Sequence, residues 1–565
     1  MIAVESKTMS RALLVLKKPG VSSAIIGCLV GLWFVGFKNI LPWNIDWLTN
    51  KSDGSFDQLS FEFFRETPLV QWPLTALPNY LVGASQVLGS GNGLVAIPAK
   101  FIGKLVPGSF QYLGAWILSC FILQGYFAEK ILGKVTSWRV LQVLGSLLFI
   151  FSPTFLYRVG TFRHFQLGAH WLILASIYFY FDKEFRRKKW SLLLVLSVFI
   201  NLYLTAMVLA SFVAKIIKIY VNKSEGEDRV RLVDLVIPFL YTTLAFILMG
   251  YASYGESSKG TGFFRLSPIS FFNPRDTFHV SYSSSLSAIR NVPIQNFLSE
   301  EPEGFQFLGS GVIIGIGILL AFGHRIITAR WIRLIGPLLV AYVLMFIFAM
   351  SNRISIFGND FVYWWPKPLD SLREVFRATS RFGWPLYYLI VLSVFILARL
   401  KISKRVMLLM FTMIIGFGLL DGWSGVLVAR RDLISEQKFD SSLTSKQWLD
   451  LAENHDQIFI YPNFDIQTSI GFPGGGIWEE RWFDLAKFAV DNKMRTNFGG
   501  TPRPIASYIE NEDRRITSNF KDGTLDPRTI YVLANSSDWV KFKSYSQDNV
   551  DAFIIDGLCV IATRD

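Results

Sequence analysis

The chain has 565 residues, of which 51% are hydrophobic, 15% are aromatic and only 18% are charged. Its mean hydropathy of +0.37 is well above that of a soluble domain, so composition predicts a polytopic α-helical membrane protein. The net charge of +13 does not indicate nucleic-acid binding, because the basic residues gather in short loops between apolar runs. The three cysteines show no ligand or disulfide spacing, so no zinc site is predicted.

Apolar runs long enough to cross a hydrocarbon core, roughly 17 to 25 residues each, set the predicted spans. Several of the runs are short, and the two that meet at Asn201 are either one long helix or two helices with a tight turn. Counted as two, they bring the prediction to about eleven transmembrane helices, near residues 21–40, 110–132, 139–157, 165–181, 190–202, 204–221, 233–251, 309–323, 333–350, 382–400 and 405–423.

Basic loops predict the orientation of these spans. Four basic segments all fall on one side of the membrane: the residues before the first span, DKEFRRKK at 182–189, HRIITARWIR at 324–333 and RLKISKR at 399–405. By the positive-inside rule that side is cytoplasmic. We therefore predict a bacterial inner-membrane protein with a cytoplasmic N-terminus and an extracytoplasmic C-terminus.

Long segments lie on the predicted outer side. A transmembrane domain at 1–424 carries large outer loops near 42–109, 252–308 and 351–381, and long loops in compact proteins are commonly functional. The tail at 425–565 contains short β-rich runs such as QIFIYP and TIYVLA, together with amphipathic helical segments. The sequence therefore predicts a separate extracytoplasmic α/β domain and places function on the outer face.

Carboxylates cluster in the first outer loop, where FDQLSFEFF is predicted to be helical. Asp53 and Asp57 are four residues apart and would share a helix face, with Glu62 further along. A carboxylate at the membrane surface can deprotonate a hydroxyl while cations hold a phosphate leaving group, as a lipid-phosphate-dependent transferase requires. The alternative is that these acids are solvated charges or helix caps.

Cations are also present on the predicted outer side, against the positive-inside bias. Arginine is suited to phosphate oxygens, and the alternatives are ion pairs or snorkelling to headgroups. The candidates are Arg158, Arg163 and His164, followed by Arg373, Arg377 and Arg381. His170, within the fourth span, is expected to be a buried, satisfied histidine. Asp53, His164 and Glu303 are suitable ligand types for a hard cation, but no close spacing supports a metal site. No cofactor is certain, and a divalent cation stays open.

Several motifs occur together in order: GSFDQLSFEFFRETPLVQWPL, FQYLGAWILSCFILQG, RHFQLGAHWLILA, EGFQFLG and FRATSRFGWP. This set resembles an uncharacterised family of bacterial multi-span proteins that is similar to the GT-C glycosyltransferases. The resemblance covers roughly residues 40–400. It implies a helical bundle whose first long outer loop carries a catalytic acid, with a sugar donor on a polyprenyl phosphate carrier.

The resemblance places the catalytic acid at Asp53, twelve residues before Arg65 in the FFR phrase, and Arg65 is itself a candidate for substrate binding. Where the family pattern has a Gln-His pair after the acid, this chain has Phe56 and Asp57, so either Asp53 or Asp57 is the base. The resemblance also implies that the paired arginines, Arg377 and Arg381, bind the donor phosphate. It implies that Glu303, the acid of the EGF loop, orients the substrate.

The expected function is transfer of a sugar from a polyprenyl phosphate to an envelope glycan, such as O-antigen or another surface polysaccharide. The tail would help to select the acceptor, and Trp478 and Trp482 are either contacts to it or core residues. The alternative is a transporter or flippase of lipid-linked sugars, although no internal repeat is evident. The sequence does not identify the sugar, the acceptor or the linkage. It also does not identify the oligomeric state.

Overall fold

The structure, a computed structural model, describes residues 18–49, 52–79, 84–85, 91–106, 108–221, 230–252, 264–275, 283, 303–356, 359–435, 439–462, 477–498, 506–534, 536–544 and 550–563. Most of the predicted outer loop at 252–308 lies outside these residues. The chain forms two compact units. The first unit is Met1–Pro42, Leu113–Leu244 and Ser258–Ser435, and the second unit is Trp43–Tyr112, Ala245–Ser257 and Glu436–Asp565.

Helices dominate the described chain. In chain order the α-helices are α1 (Val21–Val35), α2 (Phe37–Ile40), α3 (Asp53–Glu66), α4 (Gly93–Gly103), α5 (Leu113–Val135), α6 (Arg139–Ile150), α7 (Pro153–Leu156), α8 (Trp171–Phe181), α9 (Arg187–Ile200), α10 (Leu202–Val221), α11 (Leu232–Leu248), α12 (Ser310–Phe322), α13 (Ala329–Ala349), α14 (Pro368–Val375), α15 (Trp384–Val394), α16 (Lys404–Ile434), α17 (Gln447–Asn454), α18 (Ile477–Asp491), α19 (Ala506–Asp522) and α20 (Ser536–Lys543). A π-helical turn, Tyr157–Thr161, continues α7, and 3₁₀ turns at Thr379–Gly383 and Phe395–Arg399 flank α15.

The β-strands are short. Two hairpins are formed by β1 (Ala76–Leu77) with β2 (Ala84–Ser85), and by β3 (Arg353–Ile356) with β4 (Asn359–Val362). A five-stranded sheet is formed by β5 (Gln457–Tyr461), β6 (Arg495–Thr496), β7 (Thr529–Leu533), β8 (Val550–Ile555) and β9 (Leu558–Thr563).

Five helical segments of the described chain are long and apolar enough to cross a membrane: Leu113–Val135, Leu202–Val221, Ala329–Ala349, Thr379–Arg399 and Lys404–Ile434. A sixth span exists if α6 and the segment Pro153–Thr161, bent by 40°, count as one. The expectation of a helical protein with membrane-crossing helices is confirmed, but the count of about eleven is not. Several predicted spans form helices of 10–17 residues, and at 1.5 Å per residue these are shorter than a hydrocarbon core of about 30 Å.

Asn201 separates two helices. Its backbone is extended, with φ −167° and ψ 137°, between the end of α9 and the start of α10. The Asn201 side chain accepts a hydrogen bond from the backbone N–H of Tyr203, as expected of a turn residue. Of the two readings that the sequence leaves open, the structure has two helices joined by a turn.

Small residues bring α1 and α5 into close contact within the first unit. Gly27 and Gly31 form a GxxxG pattern on α1, and Gly125 faces α1 from α5. A Cβ added at Gly27 would lie 2.3 Å from the carbonyl oxygen of Phe121. One added at Gly125 would lie 2.1 Å from the carbonyl oxygen of Ser23. Close backbone approach of this kind is how helices associate in lipid, where apolar burial provides little drive.

The C-terminal part of the second unit is an α/β layer built on the five-stranded sheet. Strand order is β6-β5-β7-β9-β8, with β5 parallel to β6 and β7, and with β9 antiparallel to its neighbours. Gln457 pairs with Thr529 and Tyr461 with Leu533. A buried core lies on one face, formed by Phe459, Ile516, Phe520, Tyr531, Leu533, Phe542 and Ile561. The strands and helices predicted in the tail are therefore confirmed.

The first outer loop belongs to the same unit as this sheet. The predicted helix FDQLSFEFF is α3, whose N-cap is Ser52; the Ser52 backbone N–H donates to Ser55 Oγ at 3.2 Å. Phe56 of α3 stacks on Trp482 of α18, with ring centroids 5.0 Å apart, and also contacts Phe483. Trp482 is 2% exposed, so the acidic helix is held against the tail by aromatic packing.

Candidate functional site

Asp53 and Asp57 are neighbours on α3. Asp53 lies in the first turn, at the positive end of the helix dipole, and is partly exposed. Asp57, one turn later, is buried, with 1% of its surface exposed. Burial, followed by the charge of Asp53, raises the pKa of the Asp57 carboxyl well above its ordinary value. The two carboxyl groups thus have different surroundings, although they are four residues apart.

Asp57 and two other buried side chains of the second unit have polar atoms without a hydrogen-bond partner among the described residues. Within the described residues neither Asp57 carboxyl oxygen has a hydrogen-bond partner, and the same holds for the Tyr112 hydroxyl and the Asn92 amide nitrogen. Burial, followed by the charge of Asp57, raises the pKa of Tyr112. Buried polar groups are normally satisfied, so this cluster has unused hydrogen-bonding capacity. We call Asp57, Asn92 and Tyr112 the Asp57 cluster.

Glu62 is a second buried carboxyl group on α3, further along the helix than Asp57. Its carboxylate accepts a hydrogen bond from Gln58 Nε2 at 3.0 Å, and Gln58 also donates to the Phe110 carbonyl oxygen. Burial raises the pKa of Glu62, although the charge of Lys487 opposes the effect. Glu62, Gln58 and Lys487 line a small cavity between α3 and α18.

Arg65, near the end of α3, forms hydrogen bonds to the end of α4 and to the chain that follows it. Its guanidinium donates to the carbonyl oxygens of Gly103, Val106 and Gly108, with the Gly103 contacts at 3.1 and 2.7 Å. It also lies over the Phe110 ring, 5.0 Å from the centroid. These contacts hold the fold of the second unit. A contact between Arg65 and substrate stays a prediction.

A buried ion cluster lies in the first unit. Arg381 donates to both carboxylate oxygens of Glu303, each at 2.8 Å, and Arg158 Nη1 lies 3.3 Å from Glu303 Oε2. Arg158 also donates to the Glu303 carbonyl oxygen, and its Nη1 lies 3.2 Å from Nδ1 of His164. Ser380 Oγ donates to the same carbonyl at 3.2 Å. We call Arg158, His164, Glu303 and Arg381 the Glu303 cluster.

The backbone and charge state of Glu303 are set by this cluster. Glu303 has φ +63°, a left-handed conformation that is uncommon for a residue other than glycine and is often found at functional sites. Burial alone would raise the pKa of Glu303, but the charges of Arg381, Arg158 and His164 outweigh it and hold the pKa at about 2. Glu303 is therefore ionised between two guanidinium groups.

Aromatic rings line the Glu303 cluster. Arg158 lies over the rings of Phe162, Trp384 and Tyr157, at 5.0, 5.5 and 5.6 Å from their centroids. Arg381 lies 4.6 Å from the centroid of Tyr203. Cation–π contacts stabilise arginines that have lost water. Arg158 is fully buried, so these rings replace its hydration.

Arg163, Arg373 and Arg377 lie outside the Glu303 cluster. Arg163, with φ +54°, donates to the Asp432 carbonyl oxygen and to Ser435 Oγ, and burial lowers its pKa to about 10. Arg373 pairs with Asp370 at 2.7 Å, and Arg377 lies over the Phe264 ring at 5.0 Å. Arg163 and Arg373 thus hold loop structure in the first unit.

His170 is buried within the first unit. Its Nδ1 lies 2.6 Å from the Tyr388 hydroxyl, and its ring packs against Trp384 with centroids 4.4 Å apart. Tyr388 also receives a hydrogen bond from Gln124 Nε2 at 3.1 Å. The expected interpretation, a histidine satisfied by its packing partners, agrees with these contacts at Nδ1.

The candidate residues fall into two groups. The second unit holds Asp53, Asp57 and Arg65 on α3, and the first unit joins Arg158, His164, Glu303 and Arg381. Over the part of the chain that the structure describes, no three His, Cys, Asp or Glu side chains gather as metal ligands. The Trp478 side chain lies outside the described residues, whereas Trp482 packs against Phe56.

Sequence reasoning missed Asn92 and Tyr112. Tyr112 stands in the FQYLGAW motif, but its place 55 residues after Asp57 gives no sign of proximity. Tyr112 follows Ser109 and Gln111 in a partly polar stretch before α5, so its hydroxyl gave no distinct local signal. Only the fold of the second unit brings these two residues to α3.

Comparison with known proteins gives a family and a distant structural similarity. No curated protein matches the sequence. The crystal structure of ArnT from Cupriavidus metallidurans in the apo state is similar at 10% identity and a TM-score of 0.46, over 95% of this chain and 97% of that chain. ArnT from the same organism bound to undecaprenyl phosphate is similar at 10% identity and a TM-score of 0.44, over 96% and 97%. ArnT is a GT-C glycosyltransferase.

Family models cover most of the chain. The model described as domain of unknown function DUF6311 matches residues 24–418. The model described as the DUF6311 C-terminal domain matches residues 447–563. The chain therefore belongs to the DUF6311 family, and it carries that family's C-terminal domain.

Proposed function

We propose that this protein is a membrane glycosyltransferase of the GT-C type. It takes a sugar from a polyprenyl phosphate carrier and transfers it to an envelope glycan on the extracytoplasmic face of the bacterial inner membrane. The motif resemblance provides the reaction class. The Glu303 cluster is the observation that carries the proposal.

The Glu303 cluster has an excess of positive charge in a buried place. Two guanidinium groups, Arg158 and Arg381, share the single carboxylate of Glu303. Arg158 belongs to the bent apolar segment Arg139–Thr161, and Arg381 stands near the start of the apolar segment Thr379–Arg399. Charged residues in such segments are costly and are functional candidates by default. A lipid phosphate is an anion that two guanidinium groups held together in this way can bind.

Arginine suits this role because its planar fork holds two oxygens at once. Glu303 occupies Nε and Nη2 of Arg381 and so positions its guanidinium group, and we assign the Nη1 edge of that group to the phosphate. A phosphate leaving group gains negative charge as the sugar leaves, and pre-positioned cations stabilise that charge without reorganisation. We assign Arg158 and Arg381 to the phosphate, with Arg377 as a further contact.

The acceptor hydroxyl needs a base, which we assign to the acidic helix. In the proposed step the hydroxyl oxygen attacks the anomeric carbon, the bond from that carbon to the phosphate oxygen breaks, and the hydroxyl proton moves to the carboxylate. A base works best when its pKa is near the operating pH. The raised pKa of Asp57 favours Asp57 as the base, with Asp53 raising that pKa; the motif resemblance favours Asp53.

The test is turnover by the purified full chain in lipid vesicles with polyprenyl-phosphate sugars extracted from the same cells. The envelope glycan from the same cells is added as the acceptor, and the released polyprenyl phosphate is measured by mass spectrometry. We expect release with the wild type and none with Asp57→Asn, while Asp53→Asn retains partial release. Loss with Asp53→Asn alone would move the base to Asp53. Movement of intact lipid-linked sugar across the bilayer without release would instead indicate a flippase.

A further inference from the structure

A second basic site lies in the first unit, away from the residues assigned above. It is an open pocket of about 560 Å³, a size typical of ligand sites. Five basic side chains line it against a single carboxylate, Asp234; they are Arg186, Arg187, Lys188, Lys189 and Arg231.

Ion pairs among the described residues account for only part of this charge. Arg187 pairs with Asp234 at 3.2 Å, and Arg186 pairs with Glu184 at 3.0 Å. Lys189 lies over the Phe179 ring at 5.5 Å, which leaves its charge in place. Five basic side chains therefore face two paired carboxylates among the described residues, which leaves a surplus of three positive charges. The positive-inside rule requires only that basic residues lie in a cytoplasmic loop, whereas these five basic side chains line one pocket.

The start of α9 adds to this positive field. The helix begins Arg187, Lys188, Lys189 and has no acidic residue in its first turn. The N-terminal end of a helix carries a partial positive charge that normally attracts acids, so this sequence places like charges together. An anion bound in the pocket would neutralise both the side chains and the helix end.

The surroundings of the pocket are apolar and exposed. Leu232 and Val236 on α11 are 75% and 50% exposed, and Leu192 on α9 is 60% exposed. Leu232 directly follows Arg231, and Leu192 and Val236 follow the basic residues by about one helical turn. Cations beside exposed aliphatic surface at helix ends suit a molecule with an anionic head and hydrocarbon tails.

We propose that this pocket binds the phosphodiester headgroup of an anionic phospholipid, whose acyl chains lie along α9 and α11. Lys188 and Arg231 hold the phosphate, and the Arg187–Asp234 pair joins the two walls of the pocket. The site is separate from the Glu303 cluster in its residues, so its lipid is a resident lipid of the protein and takes no part in sugar transfer.

The test uses the purified full chain in detergent, with phosphatidylglycerol and phosphatidylcholine as probes in native mass spectrometry. We expect phosphatidylglycerol to bind more tightly than phosphatidylcholine. Lys188→Gln with Arg231→Gln should weaken phosphatidylglycerol binding by about 30-fold, as expected for two basic residues near an anionic surface. The matched control, Arg330→Gln with Arg333→Gln, removes two exposed basic residues elsewhere in the first unit and should leave binding unchanged.

Thermal unfolding of each variant shows whether it is folded. A second variant, Arg187→Gln, keeps Lys188 and Arg231 and should weaken binding by a smaller factor. Equal affinity for the two lipids, or unchanged binding in the Lys188→Gln, Arg231→Gln variant, would overturn the proposal. Displacement of bound phosphatidylglycerol by millimolar inorganic phosphate would also overturn it, because the pocket would then be a site for free phosphate. None of these results depends on whether the protein transfers sugar.

Discussion

Arg381 holds both carboxylate oxygens of Glu303, through Nε and Nη2, each at 2.8 Å. The two residues are 78 positions apart in the chain. Glu303 reaches this position with a left-handed backbone, and Arg158 approaches the same carboxylate at 3.3 Å. The pair therefore fixes the arginine fork that we assign to the carrier phosphate.

Replacing Arg381 by lysine keeps the charge but removes the fork. We expect Arg381→Lys to reduce turnover about 10- to 100-fold, the equivalent of one charge-assisted hydrogen bond of about 1.5–3 kcal/mol. Arg333→Lys, a change at an exposed arginine, serves as the control. Release of polyprenyl phosphate in vesicles measures the effect. Wild-type turnover in Arg381→Lys would show that the fork has no part in catalysis.

The low pKa of Glu303 predicts sensitivity to acid. Since the pKa in the folded protein, about 2, is below the ordinary 4.5, the stability from this carboxylate is fully present above pH 4.5 and is lost as the pH falls towards 2. Glu303→Gln leaves two buried arginines without their counter-ion, so it should be destabilised at pH 7 by about 3–5 kcal/mol.

Thermal unfolding in detergent at pH 7, 4.5 and 3 checks this prediction. The gap in melting temperature between wild type and Glu303→Gln should narrow as the pH falls below 4.5. A gap that stays constant over this range would mean that Glu303 is not held ionised by its arginines.

Asp57 shows the opposite dependence on pH. Its folded-state pKa is above the ordinary 3.8, so the stability associated with its protonated form is lost as the pH rises through the folded-state pKa. Asn is neutral at every pH, so Asp57→Asn should be more stable than the wild type, with an advantage that grows with pH. The advantage is about 1.4 kcal/mol for each unit by which the pKa is raised.

Function and stability should therefore move in opposite directions at this position. We expect Asp57→Asn to melt at a higher temperature at pH 8 and to lose turnover, as is common where an active site is kept at a cost in stability. Unfolding curves from pH 5 to 9, together with the vesicle assay, provide both readouts. A variant that is less stable than wild type at pH 8 would show that Asp57 is a structural, hydrogen-bonded group.

Helix packing in the first unit can be tested at two glycines. Gly125→Ala would place a Cβ 2.1 Å from the Ser23 carbonyl oxygen, and such overpacking typically costs about 1–3 kcal/mol. Gly317→Ala is the matched control on α12, because a Cβ there meets nothing within 4 Å. We expect a lower melting temperature only for Gly125→Ala. Equal melting temperatures would contradict the close contact of α1 and α5.

The elements that the sequence predicted well are those with a local signal. The period of FDQLSFEFF and the turn residues around QIFIYP and TIYVLA are sufficient for α3, β5 and β7. The count of about eleven spans is not confirmed, because some of the apolar runs that it includes form short helices, such as Val21–Val35 with 15 residues. Apolar length alone does not distinguish a run that forms a short helix from one that forms a span.

The candidate site was predictable by residue type but not by partner. Arg158, Glu303 and Arg381 each stood out as a charge in an unusual place, but their contacts join positions 78 and 145 residues apart. Likewise, the approach of Tyr112 to Asp57 depends on long-range packing. Contacts of this kind carry no periodic signal in a single sequence.

The most direct test of sugar transfer is mass spectrometry of envelope glycans and polyprenyl-linked sugars from cells that carry the wild type, Asp53→Asn, Asp57→Asn or no chain at equal expression. The proposal predicts a glycan substituent that is present only with an intact base, together with accumulation of its lipid-linked donor in the inactive variant. An identical glycan in all four strains, with no accumulated donor, would contradict it.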